Sequence, residues 1–286
     1  MNSEHNLENK LADQPEHKLE DTPERHSEVS RILEDKSKDL PEVFRLEVFI
    51  DDDLLEKIKE EKLSICLVRK CEGGTERWPL NFLTWICTDV EAKTTLSWKQ
   101  GYKVYTSKMA IKADSEIEVS NSCPIELNQT FHITDRKGKG RTETTPLGVK
   151  NGVMINNHTF NNFTAGLSQT VRVNETLLTI PMFVARVDGG IPLLFTLEDT
   201  IYLTLAPSDI KSGTIVTRAF GYAGILIDMS GEKTKRVKYT KIKDGDPRTR
   251  SVLGDTRWET LPEPGEDWGM RVLINAEILP YFNNSY

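Results

Sequence analysis

The sequence predicts an all-β protein of two packed antiparallel β-sandwiches, with a short helix near residues 52–61 and a disordered N-terminal tail. Apolar and polar residues alternate with a period of two in many short segments. Turn-forming Gly, Asn and Pro residues separate these segments at a spacing of about ten residues, as in sandwiches and barrels. No apolar segment approaches the length of about 18–20 residues that a membrane-spanning helix needs. We therefore expect no membrane span.

The tail differs from the rest of the chain in composition. Residues 1–40 hold 11 acidic and 6 basic side chains and no Phe, Trp, Tyr, Cys or Gly. Such a segment has little apolar surface to offset the entropy lost on ordering. We interpret residues 1–40 as a disordered acidic tail. Its first twenty residues lack the apolar segment of a secretory signal, so we expect no export.

The first elements after the tail are a strand and a helix. Residues 43–50 (VFRLEVFI) have the composition of a strand. Asp51 to Asp53 then supply negative charge, which is favourable at the N-terminus of a helix, and we expect this helix to run to Glu61. Further along, residues 125–134 alternate between apolar and polar and predict a half-buried strand.

The remaining elements follow from composition and from the same alternation. The segment Trp258 to Trp268 is rich in Pro, Gly and acidic residues, which predicts a surface loop. Residues 271–279 then predict a last strand. Shorter alternating segments predict strands at 117–119, 201–205, 215–219 and 225–229.

The length of the body favours two domains. About 246 residues follow the tail, which is near the upper limit for a single all-β domain. A Thr/Pro/Gly stretch and an Asn-Gly turn mark a seam near Pro146 to Gly152. We therefore predict sandwich domains at 41–148 and 149–286. One large twisted sandwich is the alternative.

The four cysteines favour a reducing compartment. Cys66, Cys71, Cys87 and Cys123 form no C-x-x-C pair, so neither a zinc ribbon nor a thioredoxin-type motif is present. Cys66 and Cys87 lie in apolar strand segments, where a free thiol behaves as a small hydrophobic group. We expect reduced, buried cysteines, no metal site and a cytoplasmic location.

Candidates for catalysis are few. Three of the five histidines lie in the tail, and only His132 and His158 remain in the body. We predict no catalytic residues and no cofactor. The enzymatic alternative is a small-molecule reaction in a pocket between the domains, with His158 or His132 as the general base.

One loop has the composition of a ligand site. Residues 156–163 (NNHTFNNF) combine four carboxamides with aromatic rings, and these groups suit a glycan or another small polar ligand. The same residue types also favour an ordered connection between strands. The candidate ligand-binding residues are Asn157, His158, Phe160, Asn161 and Asn162.

One segment is strongly basic. Residues 231–250 hold eight basic and three acidic side chains and include Tyr239. Lysines of this kind protect an exposed strand edge from pairing, and this is our interpretation. Contact with the acidic tail and binding of single-stranded nucleic acid are the alternatives. A net charge of −7 argues against nucleic acid as a general partner.

Taken together, these features predict a non-enzymatic intracellular β-sandwich protein that binds a protein partner or associates with itself through exposed strand edges. The 156–163 loop supplies the alternative of a carbohydrate or small-ligand binding module. The histidines supply the alternative of an enzyme.

Overall fold

A computed structural model describes residues 43–74, 79–144, 150–216, 220–241, 250–251 and 254–261. The tail at 1–40 and the strand expected at 271–279 lie outside these residues. The described part of the chain forms strands and one helix, which confirms the all-β prediction. The elements are β1 (Val43–Ile50), α1 (Asp52–Glu60), β2 (Leu63–Gly73), β3 (Asn81–Phe82), β4 (Ile86–Asp89), β5 (Lys93–Ser107), β6 (Asn121–Ile125), β7 (Gln129–Ile133), β8 (Gly140–Thr144), β9 (Gly152–Asn157), β10 (Phe163–Val173), β11 (Thr176–Val187), β12 (Leu193–Pro207), β13 (Gly224–Asp228), β14 (Thr234–Lys241), β15 (Arg250–Ser251) and β16 (Gly254–Leu261).

The strands form two sheets that pack together. Sheet I has the order β15-β16-β14-β1-β5-β10-β11-β3, with β6 also paired to β5. Sheet II has the order β4-β2-β12-β9-β7-β8, with β13 also paired to β12. Most neighbours are antiparallel, as predicted, but β1 runs parallel to β14 and β7 runs parallel to β9.

Both sheets combine strands from the two halves of the chain. The boundary predicted at 148/149 falls in residues 145–149, outside the described residues. In sheet I, β5 from the first half pairs with β10 from the second. In sheet II, β2 pairs with β12. A division at 148 would therefore separate neighbouring strands in both sheets.

Alternation along the strands builds the core between the sheets. The inward side chains are the odd-numbered residues of β2 from Leu63 to Cys71 and the even-numbered residues of β1, and both sets are buried. They pack in one cluster that draws on both sheets. Its largest fully buried aromatic side chains include Trp85, Phe183, Phe195 and Tyr239.

The helix forms where the sequence predicts it. In α1, Leu54 and Ile58 are one turn apart and both are buried, so a single face packs on the body. Asp52 and Asp53 occupy the first turn, where the helix dipole favours negative charge. No helix among the described residues has the length and hydrophobicity needed to cross a bilayer.

Four predicted elements differ from the structure. Residues 117–119 form no strand, since the neighbouring Glu116 makes only an isolated bridge to Thr214, and the described part of 215–219 makes only the bridge of Ile215 to Leu83. The single strand expected at 125–134 is divided, because the chain turns at Asn128, whose φ is 66°, and passes from β6 in sheet I to β7 in sheet II. The prediction of a surface loop at 258–268 is wrong for its first residues. Trp258 lies buried within β16, since its ring packs against Tyr239 and its indole N–H donates to Ala223 O at 3.0 Å.

Cys66 and Cys87 form a disulfide bond, so the expectation of four reduced cysteines is wrong. The two residues are direct partners in the antiparallel pair of β2 and β4, with their Cα atoms 4.4 Å apart. That separation is within the range that a disulfide spans. Cys71 is buried and free, and Cys123 is partly buried and free.

The disulfide predicts a defined labelling pattern. Alkylation of the denatured, unreduced protein should add two groups, at Cys71 and Cys123, and alkylation after reduction should add four. Intact-mass and peptide mass spectrometry measure both numbers. Four groups without reduction would show that the bond does not form.

Candidate functional site

Three loops meet at one end of the two sheets. They are residues 134–139 between β7 and β8, residues 157–162 from the last residue of β9 to the start of β10, and residues 188–192 between β11 and β12. We call these three segments the loop face. All five residues predicted to bind a ligand lie in its central segment.

Asn157 holds the central segment together. It is the last residue of β9, and its side chain is buried. Its Nδ2 donates to Asn161 O at 2.7 Å and to Val187 O at 3.3 Å. Its Oδ1 accepts from the backbone N and the hydroxyl of Thr159, at 3.0 and 2.8 Å. These four bonds use the full capacity of a carboxamide, so Asn157 shapes the loop from within.

Asn161 and Asn162 join the central segment to its two neighbours. Nδ2 of Asn161 donates to Arg136 O at 3.3 Å. In the amide orientation that pairs donors with acceptors, Asn162 donates to Asp188 Oδ1 at 3.0 Å and accepts from Arg186 Nη2 at 2.7 Å. Most of the amide groups that suggested glycan binding thus bond to the protein itself.

Phe160 projects from this anchored loop into solvent. Its side chain is fully exposed, and Ile191 on the neighbouring segment is also exposed. The backbone around it is closely packed, because a Cβ on Gly189 would lie 2.1 Å from Thr159 O. Gly190 N also donates to Asn157 O at 2.8 Å. The loop therefore presents a large apolar ring on a fixed backbone.

The 134–139 segment adds positive charge beside this ring. Asp135 Oδ1 accepts from the backbone N–H groups of Lys137 and Lys139 at 2.9 and 2.8 Å, which fixes the turn. Thr106 Oγ1 in β5 also donates to Gly138 O at 2.9 Å, which anchors the turn to sheet I. The side chains of Arg136, Lys137 and Lys139 are exposed.

The structure brings the two body histidines together. His132 Nδ1 lies 2.8 Å from His158 Nε2, and the rings are nearly parallel, with centroids 5.1 Å apart. Glu143 Oε2 lies 3.6 Å from Nε2 of His132. Phe131 and Ile133 point into the core, so His132 between them faces outward from sheet II. The pair thus lies on the outer surface of that sheet.

The described strand of the basic segment, β14, is not a sheet edge, so the interpretation as edge protection is wrong for this strand. β14 pairs with β1 on one side and β16 on the other. Its cations meet acidic partners of the first half of the chain: Arg236 with Glu47 at 3.3 Å, Lys238 with Asp51 at 2.5 Å, and Lys241 with Asp53. Burial alone would raise the pKa of Glu47, but Lys93 and Arg236 outweigh it, and the pKa is lowered.

A buried arginine was not predicted. Arg69 lies on the inward side of β2, between Leu67 and Cys71, and is almost wholly buried. Its guanidinium carbon lies 5.4 Å from the Trp85 ring and 6.0 Å from the Trp98 ring. Burial lowers the pKa of its guanidinium, although an arginine keeps its charge in proteins. The signal in the sequence is a cation at one of the alternating positions that are otherwise apolar.

Arg69 has weak polar contacts. Its Nη2 donates to Glu198 O at 3.4 Å. In the part of the chain that the structure describes, its Nε has no hydrogen-bond partner, and neither does Nε1 of Trp85. The ion pairs found among these residues do not include Arg69. Among the described residues, therefore, no carboxylate neutralises the charge of this buried cation by direct contact.

Comparison with known proteins gives no match to a family model, a curated protein or a solved structure.

Proposed function

We propose that this protein is a non-enzymatic binding protein that recognises a protein partner through its loop face, with Phe160 as the central contact. The observation that carries this proposal is the full exposure of Phe160 on a loop that Asn157 fixes from within.

An exposed phenylalanine on a fixed loop is suited to protein recognition. Burying a phenylalanine side chain yields about 1.5–3 kcal/mol, and aromatic residues are frequent among the contacts that dominate interfaces. A loop that is already ordered avoids the entropy lost when a flexible segment binds. Phe160 therefore combines a large contact surface with a low ordering cost.

The charges nearby indicate what kind of surface would fit. Arg136, Lys137 and Lys139 are exposed on the adjacent turn. Complementary charge speeds association and fixes the orientation of a partner. The partner we propose therefore has an apolar pocket for Phe160 and acidic groups at the rim. Self-association of this chain is the other form of this proposal, and the experiment below identifies a second copy by its mass.

The glycan alternative has less support from this geometry. The amides of Asn157 and Asn162 bond within the protein, and Nδ2 of Asn161 does the same. Recognition of sugars relies on free polar groups of this type beside an aromatic platform. We keep the glycan as the second candidate only through the exposed ring of Phe160.

The proposal predicts site-specific cross-linking. A photo-reactive phenylalanine analogue at position 160 of the full chain, expressed in its own cells, should give one discrete protein adduct on illumination. Leu177 is the matched control, because it is also exposed and lies at the far end of the same β10–β11 hairpin. Charge reversal of Arg136 and Lys137 should reduce the adduct at position 160. No adduct there, or equal adducts at 160 and 177, would overturn the proposal.

Phe160→Ala should weaken binding of the cross-linked partner about 30-fold, corresponding to roughly 2 kcal/mol. The fold should be unaffected, since truncation of an exposed side chain changes stability by about 0.5 kcal/mol or less. Isothermal titration calorimetry measures the affinity, with Leu177→Ala as the control that keeps it. Unchanged binding by Phe160→Ala would remove this residue from the interface.

We propose the cytoplasm as the compartment only for the reduced form of the protein. Disulfides persist mainly in oxidising compartments, and the Cys66–Cys87 bond removes one of the two grounds for the cytoplasmic expectation. Trapping thiols by alkylation during cell lysis distinguishes the two cases. A bonded pair in the lysate would contradict a cytoplasmic location.

A further inference from the structure

We infer that His132 and His158 form a binding site for a divalent transition-metal ion that prefers imidazole ligands, with Cu²⁺ the favoured ion. Nδ1 of His132 and Nε2 of His158 lie 2.8 Å apart. Two nitrogens bound at about 2.0 Å from a metal ion and at a right angle to each other lie about 2.8 Å apart. This is the spacing of neighbouring ligands in a square-planar site, the geometry typical of Cu²⁺ and Ni²⁺.

The surroundings of His132 favour the tautomer in which Nδ1 carries no proton and can bind the metal. Its Nε2 is buried and has no hydrogen-bond partner among the described residues, while Glu143 Oε2 lies 3.6 Å away. A proton on Nε2 faces this carboxylate, so Nδ1 keeps its lone pair. A carboxylate behind a ligating imidazole is the usual support for a metal-bound histidine.

Both imidazoles are held on an ordered backbone. His132 lies in β7, which pairs with β8 and β9. His158 follows β9 directly, and its backbone N–H donates to Ile133 O at 3.0 Å. In the hydrogen-bonded pair the two nitrogens point toward each other along the line between the ring centroids. Metal binding therefore requires each ring to turn by about 45°, so that the two lone pairs converge on one ion at a right angle. The proton between the two nitrogens moves to Nδ1 of His158, so the neutral pair binds the ion without a change in its own charge.

An amide oxygen and water supply the remaining ligands of the ion. Within the described ranges, no set of three His, Cys, Asp or Glu side chains is placed to hold a metal. Asn156 pairs in register with His132 on the same outward face, so its amide oxygen is available as a third donor, and water completes the coordination. Arg141 lies opposite His132 in β8, and the carboxylate of Glu143 adds a negative charge 3.6 Å from the His132 ring. Cu²⁺ gives the highest affinity among the first-row divalent ions for such a nitrogen site.

Calorimetric titration of the full, untagged chain with CuCl₂ tests this inference. His5, His17 and His26 in the tail also offer imidazoles, so the parent for the test carries His5→Ala, His17→Ala and His26→Ala. This parent should bind one Cu²⁺ in the body, and adding His132→Ala or His158→Ala should remove that binding. Glu143→Gln should weaken it about tenfold, and acid should weaken it because ligating imidazoles must be deprotonated.

Leu177→Ala in the same parent is the control, since this exposed residue lies at the far end of the β10–β11 hairpin, and it should bind Cu²⁺ as the parent does. Electron paramagnetic resonance of the bound Cu²⁺ should show coupling to two imidazole nitrogens. Paramagnetic broadening of the parent's NMR signals should be confined to residues around positions 132 and 158, which tests the site without any substitution in it. Identical titrations for the parent and the His132→Ala variant, or broadening centred elsewhere, would overturn the inference.

Discussion

Arg69→Met should raise the free energy of unfolding by about 1–4 kcal/mol. The guanidinium is buried among aromatic rings, with one long hydrogen bond and no direct carboxylate partner within the described part of the chain. A buried charge loses its hydration, and here few polar contacts with the protein compensate for that loss. Methionine fills a similar volume without charge and packs well against aromatic rings. Chemical denaturation measures the difference.

Two companion variants separate charge from volume. Arg69→Ala should destabilise relative to Arg69→Met by about 2–5 kcal/mol, because it leaves a cavity. Lys70→Met is the matched control, since Lys70 is the next residue of β2 and pairs with Glu198 at 2.9 Å in a partly exposed position. It should change stability by about 1 kcal/mol or less. A loss of stability in Arg69→Met as large as that in Arg69→Ala would show that the guanidinium stabilises the fold.

Asn157→Ala should destabilise the protein by about 2–4 kcal/mol, because each buried polar group left without a partner costs about 1–3 kcal/mol. The substitution removes partners from Asn161 O, Val187 O and the backbone N of Thr159. The loop should also lose its fixed shape. Hydrogen exchange should become faster at Thr159 and Gly190, and partner binding through Phe160 should fall with it.

Asn157→Asp tests the donor side of the same amide. The carboxylate keeps both acceptor positions but faces two carbonyl oxygens that Nδ2 had bonded, so this variant should be less stable than the parent at neutral pH. Burial and these oxygens raise the pKa of such a carboxyl in the folded state. The deficit should therefore shrink as the pH falls and the carboxyl gains a proton. Asn161→Ala, with its one exposed bond, is the control, and an equal loss there would contradict the central role of Asn157.

Local features of the fold were accessible from the sequence because they depend on periodicity. Leu54 and Ile58 share one face of α1 and follow an acidic first turn. The alternation in β1 separates buried from exposed residues over eight positions. Elements of this kind carry their own pattern, so β1 and α1 were predicted close to their observed bounds.

Pairings between distant residues were not accessible, since periodicity does not say which strands are neighbours. The basic residues of β14 would have the same sequence pattern in an edge strand and in an inner strand. Only the three-dimensional structure distinguishes the two cases, because it places Glu47 and Asp51 beside these residues. Cys66 and Cys87 are 21 residues apart and become partners only through the register of β2 and β4.

The candidate loop was recognised by composition, but the roles within it were not. Four carboxamides in eight residues suggested a polar binding surface. A carboxamide bonds equally well to its own backbone, however, and burial decides which it does. Asn157 is buried and Phe160 is exposed, and a sequence of turn-forming residues does not distinguish these two positions.

The position of β1 in sheet I has a consequence for synthesis of the protein. This strand is the first in the described chain, yet it lies between β5 and β14, and β14 ends at Lys241. During translation, β1 emerges from the ribosome long before its parallel neighbour exists. One of its edges stays open until nearly two hundred further residues have been added. Sheet I can therefore be completed only late in translation or after release, and the nascent chain would expose an unpaired edge on which a chaperone could act.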